Sequence, residues 1–286
     1  MTAVTEGTYE HRGFEHAYEI HGEGEHTVVY MHGLLMDRQM NIGLAAALAK
    51  NGYRVVLLDL LGHGRSDTPL RASEYRMDAY AGDTIALLDH LGIDQAVIGG
   101  VSLGAGVSLQ VAVHHPERVS GLIFEMPVLE WAVPAAAMFF TPFLLTMHYA
   151  ATPAGWVAAG ARRIPRTSNG ALDSVLSLVS NAPEVTKAIL HGILTGPVAP
   201  TVEQRREIDR PALVIGHGRD LIHPFSDAEN LAGVLRRGQL LNARTMLELR
   251  VTPARLTAAI VQFLDEVHSP ETRHGPTIAA AAGRSR

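Results

Sequence analysis

Ser102 has the setting in this sequence that most directly implies covalent chemistry. It stands in Val97-Ile98-Gly99-Gly100-Val101-Ser102-Leu103-Gly104-Ala105-Gly106, where Gly100, Ser102 and Gly104 form a G-x-S-x-G pattern between a strand-like and a helix-like run. A serine at such a turn takes up a strained backbone, and flanking glycines remove side chains that would collide there. The amides opening the following helix point towards the serine, which places the Leu103 N–H to donate to a developing oxyanion. The same glycines would also suit close packing around an ordinary turn serine, so the chemistry needs support from elsewhere in the chain. His11, His16, His21 and His26 recur every five residues, a period that matches neither one strand face nor one helix face. They read as surface residues of a hairpin, and no carboxylate-plus-histidine cluster accompanies them to make a metal site. The glycine-rich run at 99–106 lacks the lysine of a phosphate loop, and no G-x-G-x-x-G with a ribose-binding acid follows. No cofactor is expected.

These groups need a frame. Thr27–Met31 reads as a buried strand ending in His32-Gly33, Ala45–Lys50 as a helix, and Tyr53–Leu60 as a second strand closed by Gly62-His63-Gly64-Arg65-Ser66. Met77 to Leu91 has helical periodicity, with Gly92 as a stop. Ala96–Gly100 is a third strand, Ala105–His114 a helix, and Ser120–Glu125 a fourth strand. This alternation predicts a parallel sheet covered on both faces. From Met126 to Arg210 the rhythm stops, and helical segments are separated by prolines and glycines. It resumes with a strand at Pro211–Gly216, a helix at Ser226–Arg236, a short strand at Gly238–Leu241 and an amphipathic helix at Thr252–Val267. The expected organisation is therefore a core of residues 1–125 and 211–268, a helical cap at 126–210, and a disordered tail at 269–286.

The bulk numbers exclude some classes. The 286 residues carry 24 basic and 29 acidic side chains for a net charge of −5, which argues against a nucleic-acid surface. Cysteine is absent, so there is no disulfide framework, thiol nucleophile or thiolate metal site. The polar N-terminus lacks a signal-peptide pattern. Pro134, Pro142 and His148 interrupt the most apolar stretch, Ala132 to Ala151, so stable membrane insertion is not expected. A cytoplasmic location fits these features.

The motifs in their order resemble those of the α/β-hydrolase superfamily, from about residue 10 to 268. His32-Gly33-Leu34-Leu35 resembles that family's HG loop, which implies the Leu34 amide as a second oxyanion donor. Asp59-Leu60-Leu61-Gly62-His63-Gly64-Arg65-Ser66 resembles its D-x-x-G-x-G-x-S turn, and Gly216-His217-Gly218-Arg219-Asp220 with Pro224 its acid loop. The implied fold is α/β, a mostly parallel central sheet flanked by helices, with the cap inserted between the sheet halves. The implied triad runs serine, acid, histidine along the chain, so Ser102 and Asp220 take the first two roles. The family's histidine position is occupied by Ala243 or Arg244, ahead of Glu248. His223 and His217, three residues either side of Asp220, are the candidate displaced bases, because the C-terminal edge of the sheet is where ligands bind. Both could instead only brace that loop. His268 and His274 read as solvent-facing. Glu125, closing its strand, is the alternative acid, since some relatives of this fold take the acid there; Glu130 is less well placed.

The insertion resembles the family's mobile cap. Trp131, Met138, Phe139 and Phe143 are the expected substrate-binding residues of an apolar pocket, although such side chains more commonly fasten a cap to its core. A cap resting on a membrane surface or a second subunit is a third reading, and a homo-oligomer is compatible with it. Together these features imply a serine hydrolase of the carboxylic-ester type, acting on a hydrophobic small-molecule ester, lactone or related carbonyl compound through an acyl-enzyme. Serine at the elbow argues against haloalkane dehalogenase and epoxide hydrolase chemistry, which resembling proteins perform with a carboxylate nucleophile. Cofactor-free peroxidases and carbon–carbon bond hydrolases use the same serine. The competing class is a non-hydrolytic relative that binds a hydrophobic small molecule or performs lyase-type acid/base chemistry.

Overall fold

Runs of valine, isoleucine and leucine that are apolar on both faces build strands buried on both faces, and here they form one eight-stranded sheet. The strands are β1 (Val4–His11), β2 (Phe14–His21), β3 (Thr27–Met31), β4 (Arg54–Leu58), β5 (Ala96–Val101), β6 (Val119–Glu125), β7 (Ala212–Gly216) and β8 (Gly238–Asn242). This computed structural model describes residues 3–165, 170–218 and 222–269; the tail expected at 269–286 lies, beyond Ser269, outside them. The spatial order is β1-β2-β4-β3-β5-β6-β7-β8. The hairpin β1–β2 and the pair β2–β4 are antiparallel, and all other pairs are parallel. Six of these strands fall within a residue or two of the positions expected from sequence, and the first two form the expected hairpin.

Alternate residues along the strands face opposite layers. Val29, Met31, Val56, Leu58, Ile98 and Phe124 pack with α2 (Met77–His90), α3 (Leu103–His114) and the helix following β7. Val28, Tyr30, Val55, Leu57, Val97 and Ile123 pack against α1 (Ile42–Lys50) and the C-terminal helix. Between β6 and β7 the chain leaves the sheet for five helices, α4 (Val133–Tyr149), α5 (Ala151–Ala161), α6 (Gly170–Ser180), α7 (Pro183–Thr195) and α8 (Val202–Glu207). After β7 come α9 (Phe225–Val234), then β8, α10 (Glu248–Val251) and α11 (Ala254–His268).

The histidines of the hairpin are not all surface residues, as the five-residue spacing suggested. His16 is fully buried and stacks on Tyr9, its cross-strand partner, with ring centroids 4.9 Å apart. His21 is buried as well, 2.6 Å from the carboxylate of Glu19. β2 is sandwiched between β1 and β4, so it is covered along both edges as well as by helix. His268 is half-buried rather than solvent-facing, stacked on His26 at 3.8 Å; His274 lies outside the described residues.

Candidate active site

The strand order reverses between β3 and β5, and a crevice for ligands opens at such a switch point, at the C-terminal ends of the strands. Ser102 stands there alone between the last residue of β5 and the first of α3. Its φ of 54° and ψ of −105° lie in a region that residues with side chains rarely adopt. The Ser102 amide donates to the Glu125 carbonyl at 2.9 Å, which ties the turn to the neighbouring strand. The flanking glycines are required by sterics: a Cβ on Gly104 would lie 2.6 Å from the Met31 carbonyl oxygen, and one on Gly100 would lie 2.7 Å from the Gly104 backbone. Only bare backbone lets α3 start this close to β3.

Nε2 of His223 lies 2.9 Å from Ser102 Oγ. With that nitrogen unprotonated, the hydroxyl donates to it, the geometry of a nucleophile facing its base. His223 arrives from the loop between β7 and α9, just before Pro224 opens α9. His217 is buried just after β7, and His223 is the ring that accepts from Ser102 Oγ. Asp220 lies outside the described residues.

Leu34 and Leu103 both line the cavity over Ser102. Leu103 is the first residue of α3, so its amide has no acceptor within the helix. The Leu34 loop is braced by two reciprocal histidines. His32 Nε2 accepts from the Leu60 amide at 3.0 Å while Nδ1 donates to the Gly33 carbonyl at 2.8 Å. His63 Nε2 accepts from the Leu35 amide at 3.1 Å while Nδ1 donates to the Leu61 carbonyl at 3.0 Å. Each ring therefore uses one nitrogen as donor and one as acceptor, which only the neutral form can do. Burial lowers His32 to about 4 and His63 to about 3, the nearby His32 adding to the depression of His63. Asp59 completes the brace, accepting from the Arg38 and Arg65 amides and pairing with the Arg38 guanidinium.

Glu125, the alternative acid, is committed elsewhere. One carboxylate oxygen accepts from Tyr30 Oη at 2.8 Å and the other pairs with Arg250, whose guanidinium also donates to Asn41. Its side chain faces the layer of α1 and α10, because Glu125 continues the alternation that sends Ile123 to that side. Glu130 pairs with the buried Arg205. Where the family's histidine would stand, the Ala243 amide donates to the Gly216 carbonyl, and the Arg244 amide donates to Glu248, which Arg255 pairs.

The cavity above Ser102 measures about 120 Å³ and is lined mainly by apolar side chains, smaller than the few hundred Å³ usual for a ligand site. From α4 the lining residues are Val133, Ala136, Ala137 and Phe140, a stripe at helical spacing. Trp131, Met138 and Phe139 do not line it and are exposed, and Phe143 packs partly buried against the core instead. Bulk points to the wrong side of α4; the spacing of 133, 136, 137 and 140 carries the signal. Ile193, Leu194 and Val198 close the far wall.

Sequence reasoning missed Asp227. Fully buried in the first turn of α9, its carboxylate accepts from the Leu129, Trp131 and Ala132 amides at 2.8, 3.2 and 3.1 Å. Burial pushes this carboxyl up against the opposing pull of the three amides. It fastens the start of α4 to the helix that follows His223. In the sequence it looks like an ordinary acidic residue near a helix start.

Comparison with known proteins places this geometry among relatives. The sequence profile of the family described as alpha/beta hydrolase fold matches residues 26–233. An uncharacterized protein of Mycobacterium tuberculosis is 28% identical over 284 residues, covering 91% of this chain and 81% of that protein. The 3-oxoadipate enol-lactonase 2 of Acinetobacter baylyi is 27% identical over 197 residues, covering 65% of this chain and 68% of its own. The crystal structure of the enol-lactonase from Burkholderia xenovorans superposes with a TM-score of 0.72 at 21% identity, covering 90% of this chain and 99% of that one.

Proposed function

Since this chain belongs to the alpha/beta hydrolase fold family, we propose that it is a serine hydrolase that cleaves apolar esters or lactones through an acyl-enzyme. The observation that carries the reading is the 2.9 Å contact between His223 Nε2 and Ser102 Oγ. In the proposed cycle His223 takes the hydroxyl proton as Ser102 Oγ attacks the substrate carbonyl. The Leu34 and Leu103 amides hold the oxygen that gains charge. On collapse the carbon–oxygen bond breaks, and His223 returns the proton to the departing alkoxide. Water then repeats the sequence on the acyl-enzyme, releasing the acid and freeing Ser102. Asp220 is assigned as the orienting carboxylate on sequence position alone. The apolar lining of the cavity supports an apolar acyl group, and the enol-lactonases among the relatives support including lactones. A binder without hydrolysis would be favoured if no base faced Ser102, because Ala243 or Arg244 stands at the family's histidine position, and the His223 contact counts against it.

A fluorophosphonate probe tests the assignment. Labelling should be abolished in Ser102→Ala, fall by at least about a thousandfold in rate in His223→Ala, and persist in His217→Ala. Labelling of His223→Ala at the wild-type rate would refute the base assignment, and wild-type turnover of p-nitrophenyl esters by Ser102→Ala would refute the nucleophile.

A further inference from the structure

The outer face of the cap is bare, and its chemistry is uneven. Most of the exposed large apolar side chains among the described residues fall between Trp131 and Ile164. Trp131 is 66% exposed, Met138 77%, Phe139 60%, Tyr149 81% and Trp156 74%, while α4 buries none of its 17 residues fully. An apolar patch of this kind marks an interaction surface. Its composition, tryptophan and tyrosine among aliphatic and methionine side chains, is that of groups settling at a membrane–water boundary.

Two further observations select the occupant. No Asp or Glu occurs between Glu130 and Asp173, whereas Arg162, Arg163 and Arg166 do, in a chain whose net charge is −5. The exposed Arg162 and Arg163 close α5, and Arg162 also donates one guanidinium N–H to the Ser180 carbonyl at 2.7 Å. A second copy of the chain meeting this face symmetrically would set arginines beside arginines with no carboxylate of α4 or α5 to pair them, whereas an anionic lipid surface supplies the opposite charge directly. Neither α4 nor α5 alone has the length to cross a bilayer, although the bent pair together matches a span in length and composition. No single helix among the described residues is long and apolar enough to span one, and α4 and α5 meet at a bend of 101°. At 1.5 Å per residue they measure roughly 25 and 16 Å, short of the roughly 30 Å hydrocarbon core.

We infer that the α4–α5 face docks peripherally on an anionic lipid surface, with the apolar side chains in the headgroup boundary and Arg162 and Arg163 against lipid phosphates. Docking would hold the bilayer against the helix whose opposite stripe, Val133, Ala136, Ala137 and Phe140, roofs Ser102. The inference does not depend on hydrolysis, so its test uses the Ser102→Ala protein. Trp131 and Trp156 are the only two tryptophans in the chain, so indole emission reports this face alone. Vesicles of phosphatidylcholine with phosphatidylglycerol should sediment the full-length protein and shift its emission to the blue. Phosphatidylcholine alone, or Arg162→Gln/Arg163→Gln on the mixed vesicles, should bind about 10- to 30-fold more weakly. Met138→Ser/Phe139→Ser, at exposed positions, should weaken binding at least about tenfold with an unchanged circular dichroism spectrum. Absence of sedimentation and blue shift, or equal binding by all variants, overturns the inference. A lipid-free dimer whose formation shifts the emission and is lost in Met138→Ser/Phe139→Ser also overturns it, in favour of a second copy.

Discussion

Replacing His63 by glutamine should change how stability depends on pH, and the size of the change follows from the two hydrogen bonds of each bracing ring. His32 and His63 are held neutral at about 4 and about 3 by burial, against 6.5 in the unfolded chain. Between those values the unfolded state binds protons that the folded state refuses, so stability is full above pH 6.5 and is lost as pH falls towards 4 and 3. Each ring contributes up to about 1.4 kcal/mol per pH unit, so the pair costs about 4 kcal/mol between pH 6.5 and 4.5. That is a large share of a total stability of roughly 5–15 kcal/mol. Asp83, raised to about 6 by burial despite its Arg12 partner, acts in the opposite sense between pH 6 and 3.8. It is common to both proteins, so the difference between their slopes isolates His63. The His63→Gln protein should be about 1–3 kcal/mol less stable at pH 7.5, through the weakened acceptor for the Leu35 amide. Its stability should fall less steeply with acid, by about 1.4 kcal/mol per pH unit between pH 6 and 4. Urea unfolding followed by circular dichroism at half-unit pH intervals measures both. Parallel curves for the two proteins would refute the neutral-ring reasoning, and so would wild-type stability that stays flat from pH 6.5 to 5.

Further substitutions test other parts of the frame. Arg250→Met should cost about 3–5 kcal/mol by leaving the Glu125 carboxylate buried and unpaired, and adding Glu125→Gln should recover much of the loss in urea midpoint; no recovery would disprove the pairing argument. Asp227→Ala removes the acceptor of three amides, two of them buried, and should cost about 2–4 kcal/mol. If Asp227 also positions the cap, KM for a long-chain p-nitrophenyl ester should rise more than kcat falls; proportional loss in kcat alone would contradict that role. Ala137→Phe should fill the cavity over Ser102 and shorten the acyl chain accepted, whereas Phe139→Ala, on the opposite face of α4, should leave the chain-length profile of soluble esters unchanged.

Much of the frame was legible because its signals are local. The strands β3 to β8 declare themselves as apolar runs between glycines and polar turns. The Gly100-Val101-Ser102-Leu103-Gly104 turn is equally plain, because any side chain at either glycine would run into the backbone of β3 or of the turn itself. The choice between His223 and His217 was open in sequence because both flank one loop and its course decides which ring reaches the serine. His16 was misread because its burial comes from its cross-strand partner Tyr9, the edge pairing with β4 and the helix above, none of which a five-residue spacing encodes. The cap was misread for a different reason. Side-chain size pointed to Trp131, Met138 and Phe139, while the face turned inward sets Ala136 and Ala137 beside Val133 and Phe140, and the two alanines leave room for a ligand. Asp227 and the Tyr30–Glu125–Arg250 group join positions about a hundred residues apart, and nothing short-range announces them.

The hydrogen bond from the Ser102 amide to the Glu125 carbonyl has a mechanical consequence. Glu125 is gripped through its side chain by Tyr30 and Arg250 on the far side of the sheet, so Ser102 is referenced to the floor of the molecule and not to its roof. A guest large enough to lift α4 and α7 would therefore strain the helices without dragging the serine along. Chimaeras that exchange the helices between Val133 and Glu207 while keeping the 126–132 segment held by Asp227 should keep a correctly aimed hydroxyl while acquiring a new chamber above it.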